Sequence, residues 1–148
     1  MGNYKPIPGM SVPRYADVAT FFRLPIEKNK AKVDIGIIGI PWDGGTTNRP
    51  GARHGPREVR NASSLVRLYH PVSKKSPYDV SDVADLGDCP VNPADLQDSL
   101  KKIEKFYLDL VESKTKPISI GGDHLISLPI LRALGNKKPL GMFHFDSH

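Results

Sequence analysis

Cysteine is almost absent from this chain of 148 residues, since Cys89 is the only one. A lone cysteine excludes an internal disulfide and fits a reducing compartment. No apolar run approaches the roughly 20 residues that a membrane-spanning helix needs. The first residues also lack the apolar segment of a secretory signal peptide. Together these absences predict a cytoplasmic protein without a membrane partner.

Two nucleotide-binding motifs are also missing. No G-x-G-x-x-G follows a predicted strand, and no G-x-x-x-x-G-K-[ST] loop occurs. The net charge is +5 at pH 7, but the basic residues are dispersed and their densest pairs have no interleaved aromatic side chains. One such pair, Lys101-Lys102, lies on a predicted helix beside acidic residues, which is typical of a solvated face. The sequence therefore argues against a nucleotide or nucleic-acid partner.

The order of apolar and polar segments predicts an α/β fold. Residues 1–32 contain several prolines and little periodicity, so we expect an extended N-terminal arm with one short helix at residues 16–22. Residues 33–148 alternate short apolar runs with amphipathic stretches, which is the pattern of a parallel sheet joined by helices. The predicted strands are 33–40, 80–86, 117–120 and 140–145, and the predicted helices are 56–68, 93–111 and 125–134.

Local signals indicate where the helices begin and end. Asn92 is predicted to cap the longest helix, with Pro93 in its first turn. Pro129 is compatible with the last helix only near the start of that helix. Gly135, followed by Asn136, predicts the end of the same helix.

The third predicted strand ends in Gly121-Gly122-Asp123-His124. Two glycines allow a sharp turn that brings an imidazole close to a small ion. The same residues fit equally well a tight strand-to-helix turn, in which Asp123 caps the next helix and His124 is a polar surface residue. This motif taken alone leaves both interpretations open.

The fourth predicted strand delivers Asp146 and His148 to its carboxyl end. Residues two apart in an extended strand point the same way, so these side chains face one site, and His144 joins them if the strand stays regular. A lone Asp-x-His pair is more commonly part of a surface loop. Two strand ends that each carry an imidazole favour a metal site, because ligands bind at the carboxyl ends of parallel strands.

The residue types of this predicted site restrict the metal. Carboxylate and imidazole ligands without a thiolate suit Mn²⁺, Fe²⁺, Co²⁺ or Zn²⁺. Cys89 has no second cysteine to act with and is treated as incidental. A carboxylate shared by two ions is an arrangement that activates water at neutral pH.

A polar, glycine-rich loop at residues 43–56 follows the first predicted strand. Its Arg49, Arg53 and His54 are suited to contact with a substrate or a neighbouring subunit. The loop fits a purely structural Ω-type loop equally well. The sequence leaves both interpretations open.

Three stretches together resemble one family. Residues 41–60 resemble a loop of the form Asp-x-Gly-x-x-x-Arg-Pro-Gly-x-Arg-x-Gly-Pro-x-x-[Ile/Val]-Arg, and residues 121–124 match a first metal motif. Residues 146–148 resemble the start of a second, with Ser147 where alanine is usual. In this order the stretches resemble the amino-terminal half of the ureohydrolase (arginase and agmatinase) family. Residues 49–51 and 21–25 are more similar to agmatinases and guanidino-acid hydrolases than to arginases.

The resemblance implies a three-layer, arginase-like fold with helices on both faces of a parallel sheet. It implies two Mn²⁺ ions per complete active site, with His124 binding one ion, Asp146 bridging both and His148 binding the other. The implied reaction is hydrolysis of a linear guanidino compound, agmatine or a guanidino acid, to urea and an amine. The implied assembly of the complete protein is a homo-oligomer, trimer or hexamer. Catalytic and substrate-binding residues are not assigned.

The sequence departs from the family pattern after His148. The carboxylate two residues further on, an Asp-x-Asp motif and a later acid do not occur in this chain. We therefore expect residues 33–148 to be the amino-terminal part of a single α/β domain, truncated after the strand that ends at Asp146. We expect the chain to be inactive alone, because two cations need more anionic ligands. The alternative is a non-catalytic truncated paralogue, or a subunit that binds full-length partners.

Overall fold

The computed structural model describes residues 4–147. These residues form a parallel sheet with helices, as the alternating pattern predicts. Within them are five short 3₁₀ turns, of which two, including Phe21–Arg23, precede the first strand and three, including His124–Ile126, lie between longer elements. The strands are β1 (Ile35–Ile40), β2 (Val83–Asp88) and β3 (Lys116–Gly121), and the helices are α1 (Gly55–Ser63), α2 (Leu96–Ser113) and α3 (Ser127–Gly135).

The three strands are parallel and lie in the order β2-β1-β3. β1 is the central strand, and five of its six residues are buried. A strand that is covered on both faces reads as a continuous apolar run, which is why β1 was recognisable in the sequence. The pairing of Ile40 with Gly121 brings the carboxyl ends of β1 and β3 side by side.

The side chains of β1 alternate between two apolar cores. Ile38 and Ile40 belong to the core that includes Ile103 of α2 and Ile130 of α3. Ile37 belongs to the opposite core, which is formed with the arm and α1. Residues two apart in a strand share a face, so each face of the sheet is covered separately. The predicted three-layer arrangement with helices on both faces is therefore confirmed.

The N-terminus of α2 differs from the prediction by a few residues. Asp95, not Asn92, is the N-cap, and its side chain accepts a hydrogen bond from the Asp98 N–H. Asn92 lies in the preceding turn, where its side-chain oxygen accepts from the Ala94 N–H at 3.1 Å. Asparagine is favoured in such turns as well as at helix caps, so its presence alone does not fix the first helical residue.

The predicted helix at residues 56–68 ends early, at Ser63. The Ser63 hydroxyl donates to the Arg60 carbonyl oxygen at 3.1 Å and accepts from the Phe22 N–H at 2.8 Å. Side-chain hydrogen bonds of this kind compete with the backbone pattern of a helix. Residues 64–69 therefore continue as turns and irregular chain.

The N-terminal arm packs on the sheet instead of forming the helix expected at residues 16–22. Asp17, Phe22 and Arg23 have positive φ values of 71°, 54° and 60°, which an α-helix does not accommodate. Phe21 and Leu24 are buried in the core that also contains Ile37. The arm thus supplies part of one apolar layer, and the division of the chain at residue 32 stays a prediction.

The predicted fourth strand at residues 140–145 is not formed in the described part of the chain. Residues 140–147 follow α3 outside the sheet, and Phe143 and Phe145 are 95% and 94% exposed. An apolar run becomes a strand only where a neighbouring strand satisfies its backbone hydrogen bonds. This corrects the prediction of a strand that ends at Asp146. None of the helices within residues 4–147 is long and apolar enough to cross a membrane.

Candidate functional site

The loops that follow β1 and β3 lie against each other. The Asp123 N–H donates to the Trp42 carbonyl oxygen at 2.8 Å, and the Gly122 N–H donates to the Ala52 carbonyl oxygen at 3.3 Å. Both bonds join residues after β3 to the loop after β1. Backbone hydrogen bonds therefore join the loops at the carboxyl ends of β1 and β3.

Gly122 allows this close approach. Its φ is +85°, and a Cβ atom built on it would lie 2.5 Å from the Trp42 carbonyl oxygen and 2.6 Å from that of Ile40. Only glycine has both the conformation and the room for this position. The turn brings the next two residues, Asp123 and His124, over the end of β1.

Asp123 caps the 3₁₀ turn that begins with His124. This agrees with the interpretation of residues 121–124 as a tight strand-to-helix turn. Its carboxylate accepts from the Leu125 N–H at 3.0 Å and from the Gly45 N–H at 2.6 Å. The same side chain therefore fixes the helix start and the glycine-rich loop. We assign Asp123 a structural role at the edge of the site.

His124 meets Asp146 across the carboxyl edge. The distance between His124 Nδ1 and Asp146 Oδ2 is 2.7 Å, and the His124 side chain is 61% exposed. The His144 ring lies beside that of His124, with ring centroids 5.4 Å apart. The predicted convergence of His124 and Asp146 is thus present in the geometry, although Asp146 is not on a strand. His148, the third predicted ligand, lies outside the described residues.

The side chains that converge here fit a divalent transition metal. His124, His144 and Asp146 each offer one ligand atom, and these atoms all lie within 4.8 Å of one another. Two imidazole nitrogens and one carboxylate oxygen are the donors that Mn²⁺, Fe²⁺, Co²⁺ and Zn²⁺ accept. All three residues are exposed, so an ion has access to them from solvent.

The loop at residues 43–56 is held by a buried carboxylate. Asp43 is 4% exposed and accepts from Arg53 Nε at 2.6 Å and from the Gly51 N–H at 2.7 Å. The Arg53 guanidinium and these backbone donors lower the pKa of Asp43 to about 2. For Asp43 and Arg53 the structure supports the structural interpretation of the loop, whereas Arg49 and His54 are exposed.

Arg60, the last residue of the loop motif, anchors α1 to β2. Its guanidinium donates to Asp85 through Nε at 2.9 Å and Nη2 at 3.0 Å, and to Asp88 through Nη1 at 2.7 Å. It also stacks over the Phe21 ring at 4.0 Å. The sequence analysis missed Asp85 and Asp88, and their signal was two carboxylates within an otherwise apolar strand.

Cys89 is buried next to β2, with 1% of its surface exposed. Burial raises the pKa of its thiol to about 12. Its side chain packs in the apolar core.

Comparison with known proteins identifies the family. The model of the arginase family matches residues 33–148, which is most of the chain. The chain belongs to the arginase family. It is 58% identical over 144 residues to the guanidinopropionase of Pseudomonas aeruginosa, a match that covers 97% of this chain and 45% of that protein.

Solved structures of the arginase family share the fold described above. The proclavaminate amidino hydrolase of Streptomyces clavuligerus is similar with a TM-score of 0.81 and 34% identity, over 84% of this chain and 42% of that one. A formiminoglutamase variant of Trypanosoma cruzi, crystallised with Mn²⁺, has a TM-score of 0.63 and 26% identity, over 72% of this chain and 36% of that one. The chain thus spans less than half the length of these arginase-family relatives.

Proposed function

We propose that this chain supplies the first half of the active site of a manganese-dependent hydrolase, which converts a linear guanidino compound to urea and an amine. The observation that carries the proposal is the 2.7 Å contact between His124 and Asp146 at the carboxyl edge of the sheet. The two residues are 22 positions apart, and each belongs to a separate stretch of the family motif. Such convergence at a sheet edge is typical of ligand sites in α/β proteins.

The substrate class is proposed from the relatives. The guanidinopropionase of Pseudomonas aeruginosa is 58% identical to this chain, and curated relatives at lower identity include the chicken agmatinase and the human guanidino acid hydrolase. These names share a guanidinium group on a short linear chain. We therefore propose a guanidino acid as the substrate class, with agmatine as the second choice.

The proposed roles of the residues follow from their positions. His124 and Asp146 would hold manganese, and His148 is the further ligand expected from the resemblance. Bound Mn²⁺ would supply Lewis-acid activation of water for attack on the guanidinium carbon. Asp123 and Gly122 do not bind the metal, but they hold the loop after β3 so that the His124 imidazole faces Asp146.

The remaining expectations from the sequence stay proposals. They are the trimeric or hexameric assembly of a family-length protein, the cytoplasmic location and the inactivity of the 148-residue chain alone. The match to less than half of each relative is the reason to test the chain both alone and within a family-length protein.

A chimera tests the proposed reaction directly. The chain replaces the matching 45% of the Pseudomonas aeruginosa guanidinopropionase, and urea release from 3-guanidinopropionate, 4-guanidinobutyrate and agmatine is measured with Mn²⁺. We expect urea from the chimera and none from the 148-residue chain alone. We expect Asp146→Asn to reduce kcat by at least about 100-fold, because removing a group that stabilises the transition state electrostatically has effects of this order.

Two results would count against this proposal. A chimera that folds and assembles like the parent enzyme but releases no urea would favour a non-catalytic member of the family. Urea release by the Asp146→Asn chimera at the parent rate would remove the metal role of Asp146.

A further inference from the structure

A cavity of about 240 Å³ lies between the N-terminal arm and the C-terminal end of α1. Arg14, Asp17 and Arg23 line it from the arm, and Asn61 and Ser64 line it from the end of α1. The nine residues of α1 extend over about 13 Å. The first of them lies against the end of β3, so the cavity is at the other end of α1 from the carboxyl edge of the sheet.

Arg23 is a buried cation of this cavity with an unused hydrogen-bond donor. Its residue is 9% exposed, and its Nη2 donates to the Val12 carbonyl oxygen at 2.8 Å. Its Nη1 is also buried but has no hydrogen-bond partner within residues 4–147. A buried charged donor without an acceptor is costly. The Arg23 guanidinium therefore favours an acceptor in the adjoining cavity.

We propose that this cavity binds a small monocarboxylate, whose oxygen atoms accept hydrogen bonds from Arg23. The proposal goes beyond the proposed function and does not depend on it, because the candidate metal ligands take no part. It assigns a ligand site to the arm, which otherwise serves only to cover the sheet.

The charges around the cavity favour an anion with a single charge. Arg14 and Arg23 contribute two positive charges and Asp17 one negative charge. The C-terminal end of α1 adds a partial negative charge of about half a unit, which Arg14 meets by donating to the Leu65 carbonyl oxygen at 3.0 Å. One carboxylate nearly balances the remaining positive charge, whereas a doubly charged phosphate exceeds it.

The size and lining of the cavity favour a short apolar tail on this anion. Ile7, Ala16 and Val18 also line the cavity, so part of its surface is apolar. At about 30 Å³ for each water-sized group, the volume admits about eight non-hydrogen atoms. Butyrate fits within this limit, and octanoate does not.

The backbone of the arm holds the Arg23 side chain in place. Asp17 and Arg23 have φ values of 71° and 60°, and the Ile7 N–H donates to the Arg23 carbonyl oxygen at 3.0 Å. Residues other than glycine keep such φ values only where their surroundings fix them, and they are frequent at ligand sites. The guanidinium is thus positioned before any ligand binds, which reduces the entropy lost on binding.

The competing explanation is that Arg23 has a purely structural role and that a buried water molecule accepts from Nη1. Such waters are common in folded proteins. A water would leave the cavity indifferent to carboxylates, and changes at Arg23 would then alter stability alone. Binding of a carboxylate and of its uncharged amide separates the two explanations.

The test is a calorimetric titration of the 148-residue chain with butyrate, butyramide, octanoate and inorganic phosphate, with circular dichroism to verify the fold of each variant. We expect one butyrate to bind per chain. We expect butyramide to bind at least about tenfold more weakly, because it lacks the charge that strengthens the hydrogen bond to Arg23. Octanoate and phosphate are also expected to bind more weakly than butyrate.

Two variants locate the binding site. We expect Arg23→Gln to bind butyrate at least about tenfold more weakly, whereas Arg132→Gln, an exposed arginine of α3, binds it like the parent. Ala16→Leu fills the cavity without changing Arg23 and is expected to weaken binding as well. Its matched control is Ala94→Leu, an exposed position before α2. If Arg23→Gln loses the fold, the comparison of the two leucine variants decides the result.

The other outcomes would overturn the proposal in different ways. Parent affinity for butyrate in a folded Arg23→Gln or in Ala16→Leu would place the binding elsewhere, as would octanoate binding as tightly as butyrate. Tighter binding of phosphate would replace the monocarboxylate by a doubly charged anion. No binding of butyrate would favour the structural role of Arg23, while urea release by the chimera would still support the proposed function.

Discussion

At the scale of single residues, Gly122 sets the position of His124. Its φ of +85° and the two carbonyl oxygens within 2.6 Å of an added Cβ leave no room for a side chain. The backbone bonds from Gly122 to Ala52 and from Asp123 to Trp42 depend on this turn. A change at Gly122 is thus expected to disturb both stability and the site.

We expect Gly122→Ala to lower the free energy of unfolding by about 1–2 kcal/mol or more. Alanine is strained at positive φ, and its Cβ would also meet the carbonyl oxygens of Trp42 and Ile40. Urea denaturation of the variant measures this. Gly135→Ala is the matched control, since nothing lies within 4 Å of a Cβ at Gly135 and its φ is not positive. Equal stability of the two variants would show that the turn has room to adjust.

The sequence analysis predicted some of the side-chain contacts described above and missed others. The residue types of His124 and Asp146 predicted a shared site, and the two side chains are in contact, although the strand expected to carry Asp146 is not formed. The ion pair of the buried Asp43 with Arg53 could not be predicted. A charged, glycine-rich loop has the same composition whether its charged side chains bind a ligand or pair with each other. The side-chain partners of Arg60, Asp85 and Asp88, were missed because an ion pair between a helix and a strand depends on the tertiary fold.

At the scale of elements, Arg60 joins α1 to β2. Its side chain is 12% exposed and that of Asp85 is 2% exposed, so the ion pair is largely withdrawn from water. The Phe21 N–H also donates to Asp85, at 3.0 Å. One carboxylate thus links the helix, the strand and the arm.

We expect Arg60→Met to destabilise the protein by about 3–5 kcal/mol, because it leaves the buried Asp85 carboxylate without its cation. Methionine keeps much of the apolar contact with Phe21. Arg57→Met, an exposed position of the same helix, is expected to change the free energy of unfolding little. The midpoint of urea unfolding compares the two, and similar midpoints would contradict the anchoring role of Arg60.

The elements themselves were predicted unevenly. β1, β3 and α3 were predicted within about two residues at each end, β1 because a buried strand is a continuous apolar run and α3 because Gly135 ends it. The segment at 140–145 is as apolar as β3, yet it forms no strand, since strand formation depends on a partner and not on composition. Helix ends at Ser63 and Asp95 depended on side-chain hydrogen bonds that spacing does not reveal.

At the scale of the whole molecule, the carboxyl edge of the sheet collects the candidate metal ligands. The arm and α1 cover one face and α2 and α3 cover the other, so the sheet edge is where His124, His144 and Asp146 meet. The relatives extend over more than twice the length that this chain matches. The decisive property is therefore whether this edge holds metal when it is part of a family-length protein.

A titration of the chimera with Mn²⁺, followed by the loss of the free Mn²⁺ signal in electron paramagnetic resonance, tests this claim most directly. We predict two ions per chimera chain, weaker binding of one ion in His124→Ala, and binding of both ions weakened at least about tenfold in Asp146→Asn. Binding of two ions with parent affinity by both variants would contradict the assignment of His124 and Asp146 as the metal-binding residues.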